Sequence, residues 1–315
     1  MRDSYVFYQG DIVKEDTVSI GIRSKAFNYG LGCFEGIRAY LNEENNELYA
    51  FRMKEHYERL LQSCKTLNIK IPYTVEELMD ITVELLRRNN LKTTTYIRPV
   101  AYKAGESIAT TLMDNDDRFL IYCNPMGGYT DKKELKAAVT SWMRVEDNML
   151  PPRTKATAAY LNSGLASLEV LRKGYDEAIF LTRNGHVSEG TAENIFMVRK
   201  GQLVTPPPSD NILEGITRDT IMILAREELG LDVVERSITR TELYSAEELF
   251  FCGTAMGVAP IIEVDDRIIG NGNSGNITEK MRKLYSDISQ CKNPKYSKFC
   301  TRIWDYVIIK SDIYW

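Results

Sequence analysis

Apolar positions near the start of the chain alternate with polar ones in YVFYQGDIVKEDTVSI, rich in Val, Ile, Tyr and Phe, and break at Gly10 and Asp11. That is the pattern of a β-hairpin. In MKEHYERLLQSCKTLNI the spacing changes: Met53, Tyr57, Leu60, Leu61 and Leu67 recur at helical intervals. TVEELMDITVELLRRNN repeats the helical period, with Thr74 placed to cap its start. TTYIRPVAYK and RFLIYCNP read as strands, so residues 1–125 form a small α+β domain. A glycine-bearing, charged stretch at 126–137 suits a connector. Residues 138–315 then predict a larger mixed α/β domain. It holds a strand in AAVTSWM, a helix over about 156–173, strands in EAIFLTR and ENIFMVRKGQLVT, a helix in ITRDTIMILAREELG, and a strand in ELFFCGT. Three prolines at 206–208 mark a stiff turn.

Composition narrows the chemistry. The chain has 315 residues, 43% of them hydrophobic, enough for a large core and two domains. Its 40 Lys plus Arg against 44 Asp plus Glu are spread without like-charge blocks, which gives no footprint for nucleic acid or anionic membrane. No apolar run approaches the roughly 18 residues of a membrane helix, and the N-terminus lacks a basic-then-apolar leader, so a cytoplasmic protein is expected. The six cysteines make no CxxC pair and fit buried thiols in a reducing compartment. With two histidines, His56 and His186, neither a zinc site nor a Ser-His-Asp hydrolase is indicated, and no GxSxG elbow is present. No metal is expected. Lys, Tyr, Arg and Glu, or a cofactor, must carry any reaction.

Lys155 follows a proline-bearing turn in PPRTKATAAYLNSGLASLEVLRKG and precedes an apolar helix containing Leu161, Leu165, Leu168 and Leu171. A cation at a helix start is poorly placed for the dipole. The plain reading is a solvated lysine flanking a helix; the chemical one is a lysine seated to lose its proton and attack a carbonyl. In VSEGTAENIFMV, Glu193 and Asn194 open a strand after a small-residue turn around Gly190. Glu193 is either an exposed turn residue or the partner of a protonated pyridine nitrogen. In NILEGITRDTIMILAREELG, Gly215, Ile216 and Thr217 open a helix, which suits a phosphate, with Thr217 as an ordinary N-cap the alternative. Gly253 and Thr254 end an apolar strand and offer amides and a hydroxyl to an anion. The run GLGCFEG lacks GxGxxG spacing, so a dinucleotide fold is not indicated; Tyr29, Phe34, Glu35 and Arg38 stand around its glycines as a pocket loop or a packed turn.

In their order, FNYGLGCFEGIRAY, FRMKEHYERLLQSCKTLNI, YIRP, KATAAYLNSGLAS, GYDEAIFLTRNGHVSEGTAENIF, LEGITRD, FFCGTA and NPKYSKFCT resemble the branched-chain amino-acid aminotransferases. The match runs from about Tyr5 to Thr301. The resemblance implies the two-domain, fold type IV architecture of D-amino-acid-aminotransferase-like enzymes and pyridoxal 5'-phosphate as cofactor. It implies transfer of an amino group between L-leucine, L-isoleucine or L-valine and 2-oxoglutarate, and a homodimer or higher homo-oligomer. By the same resemblance Lys155 is the Schiff-base lysine and Tyr160 bonds the cofactor phenolate oxygen, while Glu193 holds the pyridine nitrogen. Arg59, Ile216, Thr217, Gly253 and Thr254 surround the phosphate. Tyr29, Arg98, Thr254 and Ala255 meet the substrate carboxylate; Phe34, Gly36, Tyr129 and Met256 line the side-chain pocket. Transfer from a D-amino acid or a non-branched L-amino acid, and an aminodeoxychorismate lyase, share this chemistry. A silent binding protein of the same fold is the reading from another class. The stretch VAYKAGESIATTLMDNDD and the residues Thr157, Ala158, Ala159, Met256 and Gly257 depart from the family pattern near the expected pocket, and the tail 302–315 has no recognised counterpart.

Overall fold

The computed structural model describes residues 4–127 and 132–308. They fall into two compact units of similar size. The first takes the chain up to Gly127, then Thr154–Ala158, then everything described from Ile288 on; the second takes the described residues up to Arg153 and Ala159–Asp287.

An antiparallel sheet organises the first unit. Its strands are β1 (Tyr5–Tyr8), β2 (Asp11–Lys14), β3 (Gly32–Phe34), β4 (Ile37–Asn42), β5 (Glu47–Phe51), β6 (Thr95–Lys103) and β7 (Asp117–Pro125). The order is β5-β4-β6-β7-β1-β2, with β3 on β6 and a late strand, Cys300–Arg302, on the outer edge of β5. The expected hairpin is β1-β2, and its turn is Gln9-Gly10, both at positive φ, one residue before the break read from the sequence. A two-residue turn of that hand matches the strand twist. Helices α1 (Lys25–Tyr29), α2 (Met53–Thr66) and α3 (Val75–Arg88) accompany the sheet. Thr74 caps α3 as expected, in a reciprocal box with Glu77. Phe7, Ile37, Leu48, Tyr57, Leu60, Leu85, Ile97 and Phe119 are fully or almost fully buried in one core, each worth about 1.5–3 kcal/mol for a large side chain removed from water.

The second unit has a mixed sheet. Its strands are β8 (Leu135–Met143), β9 (Glu177–Leu181), β10 (Asn194–Arg199), β11 (Gln202–Thr205), β12 (Val233–Glu235), β13 (Glu248–Gly253), β14 (Gly257–Val264) and β15 (Arg267–Ile268), in the order β12-β11-β10-β13-β14-β8-β9 with β15 on β14. Strand β8 runs parallel to both β9 and β14, and β11 runs parallel to β12; the pairs β10-β11, β10-β13, β13-β14 and β14-β15 are antiparallel. The central strands β10 and β13 are buried on both faces, which is why they read as unbroken apolar runs rather than alternations. Helices α4 (Tyr160–Arg172), α5 (Ile216–Glu227), α6 (Arg240–Leu243) and α7 (Asn276–Ser289) complete the elements, α7 running on past this unit's last residue.

Three expectations differ from what is seen. The division is not contiguous. Cys300–Arg302 pairs with Tyr49–Phe51, and Arg87 donates to the carbonyls of Ile303, Trp304 and Tyr306, so these residues of the tail belong to the first unit. Strand β8 begins inside the expected connector 126–137. On α4 the buried face is Ser163, Ala166 and Val170, small residues that let the helix lie close to Ala138, Ala178 and Phe180, while Leu161, Leu168 and Leu171 face outward. Among the described residues no helix is long and apolar enough to cross a membrane, and no cluster of His, Cys, Asp and Glu could hold a metal.

Candidate active site

In the first unit, Lys155 is held by its backbone. Its carbonyl accepts from the Phe34 amide at 3.1 Å, and its amide donates to Ser63 Oγ at 3.2 Å. The flanking residues bind the same strand: Ala156 bridges Cys33, and Thr157 Oγ1 donates to the carbonyls of Gly30 and Gly32. The Lys155 ammonium lies 5.3 Å from the centroid of the Phe34 ring, and the Arg98 guanidinium lies 4.2 Å from the same centroid. Two cations on one aromatic ring make an electropositive seat around Phe34. Arg98 Nη2 donates to the Tyr96 hydroxyl at 2.9 Å. A Cβ at Gly36 would sit 2.1 Å from that hydroxyl, so only glycine leaves room for this tyrosine.

Glu35, next to Phe34, is completely buried and carries a second network. Arg59, on α2, donates from Nε to Oε1 at 2.7 Å and from Nη2 to Oε2 at 2.9 Å. His56 Nδ1 lies 2.7 Å from Oε2. Burial opposes ionisation of Glu35, but the Arg59 guanidinium and the His56 hydrogen bond outweigh it and hold the carboxyl well below the usual carboxylate range. Burial pushes His56 below its ordinary value against the pull of Glu35, so a neutral imidazole with its proton on Nδ1 donates to the carboxylate.

In the second unit, Glu193 is 3% exposed at the mouth of β10 and accepts the Ala192 amide at 3.0 Å. Gly253 lies alongside: a Cβ there would be 3.6 Å from Glu193 Cγ. Thr254, Ala255 and Met256 form the turn between Gly253 and its strand partner Gly257, and Met256 packs partly on the core. Helix α5 is capped by Gly215, not Thr217, and this glycine makes no side-chain cap hydrogen bond. Thr217 is the second helical residue, buried, its hydroxyl 3.4 Å from that of Tyr285. Asn194 ties α5 to β10: its Nδ2 donates to Leu213 O at 2.9 Å and to Glu189 Oε2 at 3.0 Å. Tyr160 opens α4, and one turn later Ser163 donates to Thr191 O, fastening that helix to the same turn.

Lys155, Phe34, Gly36, Arg98 and Arg59 therefore belong to one unit, and Tyr160, Glu193, Ile216, Thr217, Gly253, Thr254, Ala255 and Met256 to the other. Tyr29 is 39% exposed, and its hydroxyl donates to Ile108 O at 2.9 Å. Tyr129 lies outside the described residues. An apolar cavity of about 470 Å³ in the first unit, walled by Ile22, Phe27, Val100 and Tyr122, includes none of the expected site residues.

Sequence reasoning missed the structural parts of both networks. In sequence Glu35 reads as a loop residue, although His56, Arg59 and Ser63 recur at i, i+3 and i+7 on the buried side of α2, a polar stripe that signals buried partners. Glu189 is the other such residue: it is 4% exposed, four residues before Glu193, and is held by Arg144 at 2.7 Å and by the Leu213 amide at 3.1 Å. An acid between Ser188 and Gly190 in a small-residue turn was the available signal.

The chain is 44% identical over 302 residues to a probable branched-chain-amino-acid aminotransferase of Aquifex aeolicus, covering 96% of this chain and 97% of that one. Its fold matches the crystal structure of a branched-chain aminotransferase from the archaeon Thermoproteus uzoniensis with norvaline at TM-score 0.91 and 45% identity, covering 96% and 99%. It matches that of a branched-chain amino acid aminotransferase from Thermobaculum terrenum in its PLP form at TM-score 0.91 and 37% identity, covering 96% and 98%. The fold type IV architecture expected from the sequence is thus the one observed. With the amino-transferase class IV family model matching residues 32–264, the chain belongs to the class IV amino-transferases.

Proposed function

We propose that this chain is a pyridoxal-phosphate-dependent transaminase that moves the amino group between L-leucine, L-isoleucine or L-valine and 2-oxoglutarate. The observation that carries this is the Lys155 seat, pinned at both backbone atoms with its amine over Phe34, in a chain of this family. The donor set fits the cofactor: a lysine amine for an aldehyde, a glycine-capped helix start for a phosphate, and buried carboxylates in the turn before β10 for a ring nitrogen. When bound, pyridoxal phosphate supplies an aldehyde for the amine and an electron-withdrawing ring that acidifies the substrate α-carbon.

Lys155 would hold the aldehyde through its Nζ, and the same amine, when free, would be placed to take the substrate α-proton as general base. Tyr160 would donate to the phenolate oxygen. Arg59, the Ile216 and Thr217 amides, Gly253 and the Thr254 hydroxyl would bind the phosphate. Glu193 is the carboxylate expected at the ring nitrogen; Glu189 is a second reading, because it is equally buried in the same turn and fixed by Arg144 at 2.7 Å. Arg98 and Tyr29, with the Thr254 and Ala255 amides, orient the substrate carboxylate, and Phe34, Gly36, Tyr129 and Met256 bound its side chain. Two features of the molecule's setting belong to the same reading: a homodimer or higher homo-oligomer, and a cytoplasmic location, which the absence of disulfides among the described cysteines suits.

Side-by-side assays with L-leucine, D-alanine and aminodeoxychorismate test it. Amino transfer from L-leucine to 2-oxoglutarate, with D-alanine and aminodeoxychorismate turned over at least about a hundredfold more slowly, a gap of roughly 2.7 kcal/mol, is the expected result. Preference for either of the others refutes the substrate assignment. Light scattering that finds a fully active monomer would refute the oligomer.

A further inference from the structure

Glu35 has no role in the reaction as described, yet it is the most completely enclosed carboxylate beside Lys155. It sits directly after Phe34, whose amide holds the Lys155 carbonyl, and its own amide donates to Pro99 O at 3.0 Å. One short turn therefore carries both the seat of the lysine and the counter-ion of Arg59. Burying a carboxylate costs several kcal/mol unless it is paired and hydrogen-bonded; an apolar side chain would fill the same volume at no such cost. The fork-to-fork contact takes the Nε–Nη2 edge of Arg59 and fixes the guanidinium plane, and with it the direction of the Nη1–Nη2 edge. While Glu35 is sealed from solvent, the Arg59 side chain is 13% exposed, so the arginine spans from the sealed acid to the surface. His56 closes the other side of the carboxylate as a neutral donor, which leaves the triad without net charge. Arg59 then acts on an anion through the placement of its N–H groups more than through bulk positive potential.

We propose that Glu35 is a positioning residue for the cofactor phosphate: through its two bonds to Arg59, and braced by His56, it aims the guanidinium that receives the phosphoryl oxygens. This rests on the reading of Arg59 as a phosphate ligand. Glu35→Gln keeps the shape of the side chain but sets an amide N–H against the arginine's own donors, so the guanidinium has to turn.

The test compares two probes on the full-length apoprotein by absorbance titration: pyridoxal phosphate, and pyridoxal, which lacks the phosphate. Arg59→Gln should weaken pyridoxal phosphate and leave pyridoxal within about twofold; equal effects on both would overturn the phosphate reading itself. Given a selective effect of Arg59→Gln, Glu35→Gln should weaken pyridoxal phosphate at least about tenfold, the equivalent of one charge-assisted hydrogen bond, again with pyridoxal within about twofold. Equal loss of both probes, no loss, or tighter phosphate binding by an unshielded Arg59 would overturn the positioning role while leaving the Arg59 reading intact. If the Gln variant does not fold, Glu35→Asp keeps the charge and shortens the reach. A selective loss of pyridoxal phosphate affinity of about threefold or more, roughly 0.65 kcal/mol, supports the role, and an unchanged ratio of the two affinities refutes it.

Discussion

Gly215→Ala tests how the α5 start is joined to β10. Gly215 has φ −71° and ψ 133°, a conformation open to any residue, so backbone strain plays no part. The obstacle is Asn194: a Cβ on residue 215 would lie 2.0 Å from its Oδ1. Asn194 must swing away, and its Nδ2 then loses the bonds to Glu189 Oε2 at 3.0 Å and Leu213 O at 2.9 Å. Two buried hydrogen bonds at about 1 kcal/mol each, plus about 1–3 kcal/mol for a buried polar group left unsatisfied, total roughly 3–5 kcal/mol, less what relaxation recovers. At about 2–4 °C per kcal/mol for a domain of this size the melting temperature should fall by roughly 6–20 °C. Urea unfolding and thermal melts of the four members of a cycle give the assay. In an Asn194→Ala background the glycine substitution should cost under about 0.5 kcal/mol, because the clashing atom is gone. The same cost in both backgrounds, or a parent-like melt of Gly215→Ala, would refute the reasoning.

Glu189→Gln and Glu193→Gln separate the two buried acids: the one that faces the ring nitrogen should lower kcat by about 100-fold or more, roughly 2.7 kcal/mol of transition-state stabilisation, and shift the visible absorption of the bound cofactor, while the other changes stability alone. If neither moves the spectrum, the turn before β10 does not hold the ring. Stability should fall with acid in two stages. His56 lies below its ordinary value in the folded state, so its contribution is present above a pH of about 6.5 and is lost as pH falls beneath that. Glu35 is also depressed, so its contribution is present above about 4.3 and is lost as pH drops further. A His56→Gln variant should lack the first stage of the pH-dependent melting curve; an unaltered curve would contradict the neutral-histidine assignment.

Much of this was legible because it is local. The Thr74 cap, the β1–β2 hairpin and the stop of α5 before Gly230 are decided by residues within one turn of each other, and the sequence pattern alone identifies them. The apolar members of α2 were also visible. Its polar members were not, since what buries His56 and Arg59 is Glu35, more than twenty residues earlier. The placement of Cys300–Arg302 against β5 depends on pairing across some 250 residues, which no local period encodes. Glu189 and Glu193 look alike in sequence; what distinguishes them is Arg144, delivered from the end of β8. The leucines of α4 suggested an apolar face, whereas close packing on β8 and β9 selected its small residues instead.

The central claim is that Lys155 carries the cofactor. Purified protein should show a visible absorption band with pyridoxal phosphate, and borohydride reduction followed by peptide mass spectrometry should find the pyridoxyl group on the peptide containing Lys155. A label on another lysine, or no visible band even with added pyridoxal phosphate, would contradict the account.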